Sequence, residues 1–178
     1  MKRSLWYVLT LLTVGTLTVL MMAQQQKQPL SPPGEASVKF DDGKTVTIKY
    51  SRPSMRGRKI YGGLVPYGQV WRTGANAATS LTTDTNLDIG GANVPAGSYT
   101  LYTLPGENGW QLIINKQTSQ WGTEYSQGQD LARVPMKVGQ LPSGLEIFTI
   151  SLDKTGPRTA TLKLDWENTT TSVNISEK

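Results

Sequence analysis

Residues 36–50, ASVKFDDGKTVTIKY, decide the fold class. Val46, Ile48 and Tyr50 alternate with Thr45, Thr47 and Lys49, the period of two that turns one side of a strand toward a core. Residues 36–40 read as an edge strand, and Asp42-Gly43 between the two runs supplies the chemistry of a tight hairpin turn. The same cadence recurs downstream. A Thr-rich strand covers 80–85. Residues 86–89 turn through Gly90-Gly91 into a partner at 92–94. Pro95-Ala96-Gly97 leads into a strand at 98–104, which Pro105-Gly106 ends. WQLIIN, residues 110–115, is the most hydrophobic strand of the mature chain. Residues 145–152 and 159–166 form another pair across a turn holding Gly156-Pro157, and 171–175 close the chain. Residues 116–145 read as irregular, with one helical turn or short strand near Asp130 to Arg133. Turn signals every ~8–12 residues predict an all-β domain: one antiparallel β-sandwich of jelly-roll-like character with about nine strands.

The hairpin runs directly into KYSRPSMRGRKIYGGLVPYGQVWRTGANAAT, residues 49–79. Arginine and glycine are too dense here for an ordinary core strand, so it reads as a long ordered connection that buttresses the fold or carries a site. No acidic residue lies between Asp42 and Asp84. Residues 43–83 contribute +7 to a net charge that is +3 once Lys2 and Arg3 are removed, which leaves −4 on the rest of the mature chain. The high isoelectric point is therefore local. It fits either a solvated basic face or an anion-attracting patch.

At the other end, residues 1–23 combine Lys2 and Arg3, an uncharged hydrophobic run and a small residue at Ala23. This is the pattern of a secretory signal helix. The run at 5–22 is also long enough, at about 18 residues, to remain as an anchor. The expected organisation is a signal segment at 1–23, a polar linker at 24–34 and a β-sandwich at 35–176. The folded part then lies outside the cytoplasm, periplasmic or secreted, with membrane contact only through the N-terminal segment if it stays uncleaved.

The chain has no His and no Cys. That excludes Ser-His-Asp and Cys-His nucleophilic machinery and the His and Cys ligand sets of zinc, copper and haem. No cofactor is expected, and no motif for nucleic acid is present. Glu107, Glu124, Asp130 and Glu146 are candidates for carboxylate chemistry by type alone, since glycoside hydrolysis needs two that face each other.

The binding candidates lie in the basic stretch. Arg52, Arg56 and Arg58 have the fork geometry for a carboxylate or phosphate, or else cap carbonyls within the loop. Tyr61, Trp71, Arg72 and Asn76 add aromatic faces, a cation and an amide, groups that suit a sugar ring or staple a loop to the core. Lys116, beside Trp121-Gly122 and Tyr125, forms a second polar and aromatic cluster at an end where loops gather. Asp130 and Arg133 are spaced for a local ion pair. The expected partner is a carbohydrate or small anionic ligand. Carboxylate hydrolysis of envelope polymers and a purely structural or partner-binding role are the alternatives.

Taken in order, YSRPSMRGRKIYGGLVPYGQVWRTGANAAT, VPAGSYTLYTLP, WQLIINK, WGTEY and DLARV resemble the bacterial domain-of-unknown-function 2911 family, from about Ser31 to Ile175. The resemblance implies an exported all-β domain and supplies no activity. It also implies Glu after Gly74-Ala75-Asn76, where this chain has Ala77. A catalytic reading centred there would lack its carboxylate.

Overall fold

A computed structural model of the protein describes residues 30–178; the expected signal helix lies outside them. Nine strands follow in order: β1 (Pro33–Lys39), β2 (Thr45–Ser51), β3 (Thr79–Thr83), β4 (Leu87–Ile89), β5 (Ala92–Val94), β6 (Gly97–Leu104), β7 (Trp110–Asn115), β8 (Asp130–Gly156) and β9 (Thr159–Glu177). They form one continuous antiparallel sheet in the order β1-β2-β3-β6-β7-β8-β9-β4-β5. Among the described residues the only helical element is a short 3-10 turn, Gln127–Gln129, and no helix is long and apolar enough to cross a membrane.

The hairpins predicted from local chemistry are present. β1 and β2 pair in continuous register from Pro33 opposite Ser51 to Lys39 opposite Thr45. The Phe40 carbonyl accepts from the Gly43 N–H at 3.0 Å. β4 and β5 join through Gly90 at φ 58° and Gly91 at φ 92°, the two left-handed residues of the mirror-image turn that matches strand twist. Alternation then sets the core. Val46, Ile48 and Tyr50 of β2 point inward, as do Phe148, Ile150 and Leu152 of β8 and Leu162, Leu164 and Trp166 of β9.

β8 departs from the sequence reading. Residues 130–144 were expected to be irregular, yet they lie within a 27-residue strand that serves two partners. Its first part pairs with β7, from Asp130 opposite Asn115 to Met136 opposite Trp110. From Lys137 onward it pairs with β9, with register shifts between Gln140 and Thr149. Those shifts bracket Pro142 and Gly144, residues that interrupt a regular ladder and let a strand bend. The two closing strands read at 159–166 and 171–175 are likewise one strand, β9.

Through β8 the sheet curls back on its own beginning. The Tyr50 hydroxyl accepts from the Ile150 N–H at 2.9 Å. The Phe148 N–H donates to the Pro53 carbonyl at 2.9 Å, and the Met55 N–H to the Glu146 carbonyl at 2.9 Å. The core therefore sits inside a curled, sandwich-like sheet. Residues 52–78 fold over one end of it and bury Ile60, Tyr61 and Val65 in the core.

The outer face of β6 and β7 is covered too, which explains why β6 is buried on both sides. The loop after β7 lies across it: Tyr102 donates to the Glu124 carbonyl, and the Gln120 amide donates to the Thr100 and Tyr102 hydroxyl oxygens.

One contact between the start of β2 and the residue after β3 has a pH consequence. The Thr45 N–H donates to Asp84 Oδ1 at 2.7 Å and the Thr45 hydroxyl to Oδ2 at 3.1 Å. These bonds, the backbone one first, hold the Asp84 carboxyl below its ordinary range. A carboxyl depressed in the folded state stabilises above its unfolded pKa of about 3.9, and that stability is lost as pH falls through the folded value. Thermal melts of wild type and Asp84→Asn should therefore converge as pH falls from about 6 to about 2.5. Parallel loss in both proteins would show that this contact is not linked to protons.

Candidate functional site

The loop that caps the curled sheet is tied down before it forms a site. Ser54 bridges to Ile147, and Trp71 exchanges two backbone hydrogen bonds with Thr103, at 2.8 and 2.9 Å. The Ile60 N–H donates to Glu167 Oε1 at 3.3 Å. These anchors bring Trp71 onto the middle of β9, where its ring stacks on Trp166 with centroids 5.8 Å apart and planes 18° from parallel. Tyr61 meets both rings edge-on, and Phe148 meets Trp71 edge-on and Trp166 at a tilt.

A cleft of about 220 Å³ opens at this point. Trp71 and Trp166 line it together with Arg58, Arg72, Leu64, Val65, Gly74 and Ala75, and Ser31 and Pro53 complete the lining. Among the described residues no Asp or Glu lines it. No group of three acids converges as cation ligands would, either.

The arginines differ in how they are held. Arg58 donates from Nε to the Met55 carbonyl at 2.9 Å and from a terminal nitrogen to the Ser54 carbonyl at 2.8 Å. Arg56, in the left-handed region at φ 52°, donates to the Leu30 carbonyl at 3.0 Å while its N–H reaches Glu146 Oε1. Arg52 donates to the Thr149 hydroxyl at 3.3 Å, and its Nε is buried without a partner. Arg56 and Arg58 thus cap carbonyls, one of the two roles the sequence allowed.

Arg72 differs from these three. Its side chain makes no hydrogen bond or ion pair with any described residue, and its Nε is buried and unpartnered. It lines the cleft, with its stem lying against Gly122. A Cβ at Gly122 would overlap Arg72 Cδ and stand 2.6 Å from the Asn76 carbonyl oxygen. Only glycine lets the two loops meet this closely.

The other candidates are dispersed. Tyr61 is a core residue, 4.8 Å edge-on from Trp110, and burial raises its phenol well above the usual range. Asn76 is exposed in the left-handed region at φ 58°, and its carbonyl accepts from the Gly122 N–H at 3.1 Å. Lys116 is exposed and does not line the cleft. Ala77 is exposed and bridges to Trp121.

The second cluster meets the first through Trp121-Gly122 rather than Lys116. Trp121 is 53% exposed. Its loop is braced from beneath by buried Asn115, which donates to the Ser126 carbonyl at 2.9 Å and to Asp130 Oδ1 at 2.8 Å. Asp130 Oδ2 accepts from the Tyr125 hydroxyl and from Arg133 Nε at 2.9 Å. The expected Asp130–Arg133 pair is therefore real. Burial, reinforced by Asp130, pushes the Tyr125 phenol up to about 12.

Sequence reasoning missed Trp166, Leu64, Val65, Gly74, Ala75, Pro53 and Ser31 as parts of the cleft. Trp166 ends the alternation of 160, 162, 164 and 166, a pattern that marks it as core and holds no sign of a neighbouring cavity.

No curated protein and no solved structure matches this chain. The family described as Protein of unknown function (DUF2911) matches residues 31–175, most of the chain and nearly all of the curled sheet with its capping loop, and to that family the chain belongs.

Proposed function

We propose that the protein is an extracytoplasmic, non-catalytic binding domain that takes a carbohydrate or small anionic ligand in the cleft beside Arg72. On this reading the curled sheet works as a jelly-roll-like sandwich whose loops gather at one end to hold the ligand, and the N-terminal segment exports the domain. One observation carries the reading: Arg72 lines the cleft, and its side chain makes no hydrogen bond or ion pair with any described residue. A guanidinium without an acceptor leaves its charge unpaired in a partly buried place, and an anionic ligand that reaches its terminal nitrogens from the cleft would pair it. The acid-free lining supports the same reading, because an entering anion meets no opposing carboxylate. Hydrolysis by facing carboxylates has no acid at this cleft to build on.

Thermal unfolding against glycans, sugar phosphates and dicarboxylates tests the proposal. A ligand at 100 times its Kd should add about 2.7 kcal/mol, a shift of several degrees. Arg72→Gln, which keeps most of the stem against Gly122, should abolish that shift while leaving the melt of the free protein close to wild type. A full shift in Arg72→Gln, or no shift from any ligand, would refute it.

A further inference from the structure

We propose that the site binds an acidic saccharide as two consecutive units: one anionic sugar ring in the cleft on Arg72, and the adjoining ring on the exposed face of Trp121. This deepens the proposed function and rests on it.

Three observations carry the inference. The cleft, at about 220 Å³, lies below the roughly 300–1,000 Å³ of pockets that enclose drug-sized ligands, so it has room for one ring and not for a chain. A longer saccharide would have to leave it across the margin.

Arg72 selects for charge on the enclosed ring. A guanidinium with no acceptor among the described residues offers a planar fork that matches a carboxylate or a phosphate in two parallel hydrogen bonds. Neutral sugar hydroxyls would leave its charge unpaired in a partly buried place.

Trp121 stands next to that anchor. Gly122 packs directly on the Arg72 stem, so chain geometry puts the Trp121 Cα within about 8 Å of Arg72 Cδ. The position is fixed on both sides: Ala77 bridges to Trp121, the Gly122 N–H donates to the Asn76 carbonyl at 3.1 Å, and the Glu124 N–H donates to the Trp121 carbonyl at 2.9 Å. An indole 53% exposed on an anchored backbone is a prepared apolar platform, since little ordering entropy remains to be lost when a ring stacks on it. Its neighbours Thr123 and Asn76 are polar, which suits the hydroxyl edge of a sugar better than an apolar protein surface.

Calorimetric titration of the protein with galacturonic acid, its linked dimer, a hexose phosphate, neutral glucose and inorganic phosphate tests this. The acidic monosaccharide should bind and glucose should not. The acidic dimer should bind about tenfold more tightly than the monomer, the size of one aromatic stacking contact. Comparison of galacturonic acid with the hexose phosphate tells which anion the fork prefers, and inorganic phosphate reports the anion without a ring. In Trp121→Ala the preference for dimer over monomer should fall to near unity, and Trp121→Phe should keep most of it. Monomer binding with no dimer preference in wild type, or a preference untouched by Trp121→Ala, would overturn the two-unit inference and leave the binding function standing. Absence of binding by every probe would overturn both.

Discussion

Trp166→Ala should destabilise the protein by about 3–5 kcal/mol, the usual range for removing a large buried aromatic. The indole is 1% exposed and touches three other aromatic residues. Its Nε1–H donates to the Glu146 carbonyl at 3.1 Å, so the substitution leaves a cavity and also removes one of the two donors to that carbonyl, which keeps the Met55 N–H. The loss should appear in urea unfolding as a lower midpoint with an unchanged slope. The cleft should suffer as well, because Trp71 would lose the ring it is stacked on. A loss under about 1 kcal/mol would mean that the 52–78 loop collapses into the space, against the close packing of the aromatic cluster. Trp166→Phe, which keeps the apolar contact and loses the donor, separates packing from the hydrogen bond.

Asn115→Ala should have the second largest effect, about 2–4 kcal/mol. Asn115 is fully buried at the end of β7. Its amide donates to Ser126 and Asp130, and its oxygen accepts from the Gln117 N–H at 2.9 Å. Each buried group left without a partner costs about 1–3 kcal/mol, and these three belong to one network whose members support each other. The loop released by the substitution carries Gly122, which rests on Arg72. Hydrogen exchange should therefore quicken across residues 116–129 before it does in β6 or β7, as expected of a unit that opens locally. Asn115→Asp is the informative control, since it keeps the acceptor and places a second carboxylate against Asp130. If Asn115→Ala left both the melt and the exchange of the loop unchanged, solvent would have to be satisfying the Asp130 and Ser126 acceptors.

The candidate site was legible in sequence only as a region. Residues 49–79 could be singled out because the absence of acids, the run of arginines and the glycines are properties of the string. Which arginine was free could not be read from it. Arg58 and Arg72 are the same residue type in the same segment. The first spends its donors on the Met55 and Ser54 carbonyls, and the second meets no described acceptor because its stem runs toward a glycine from a different loop. Tyr61 was counted with the polar aromatics and lies instead among Trp71, Trp110 and Trp166, whose meeting depends on three separated segments.

By itself the sequence determined the all-β class, the hairpins at Asp42-Gly43 and Gly90-Gly91, the strand Trp110–Asn115 and the basic character of the capping loop. These follow from turn chemistry and a period of two, which act over a few neighbouring residues. Only the tertiary structure decided that residues 130–144 are strand. Pro135, Gly139, Pro142 and Gly144 give that segment weak strand preference, and its conformation is imposed by ladders to β7 on one partner and β9 on the other. The cleft has the same origin: Trp166 and Arg72 are ninety-four positions apart, and only the curling of the sheet through β8 brings them to one cavity.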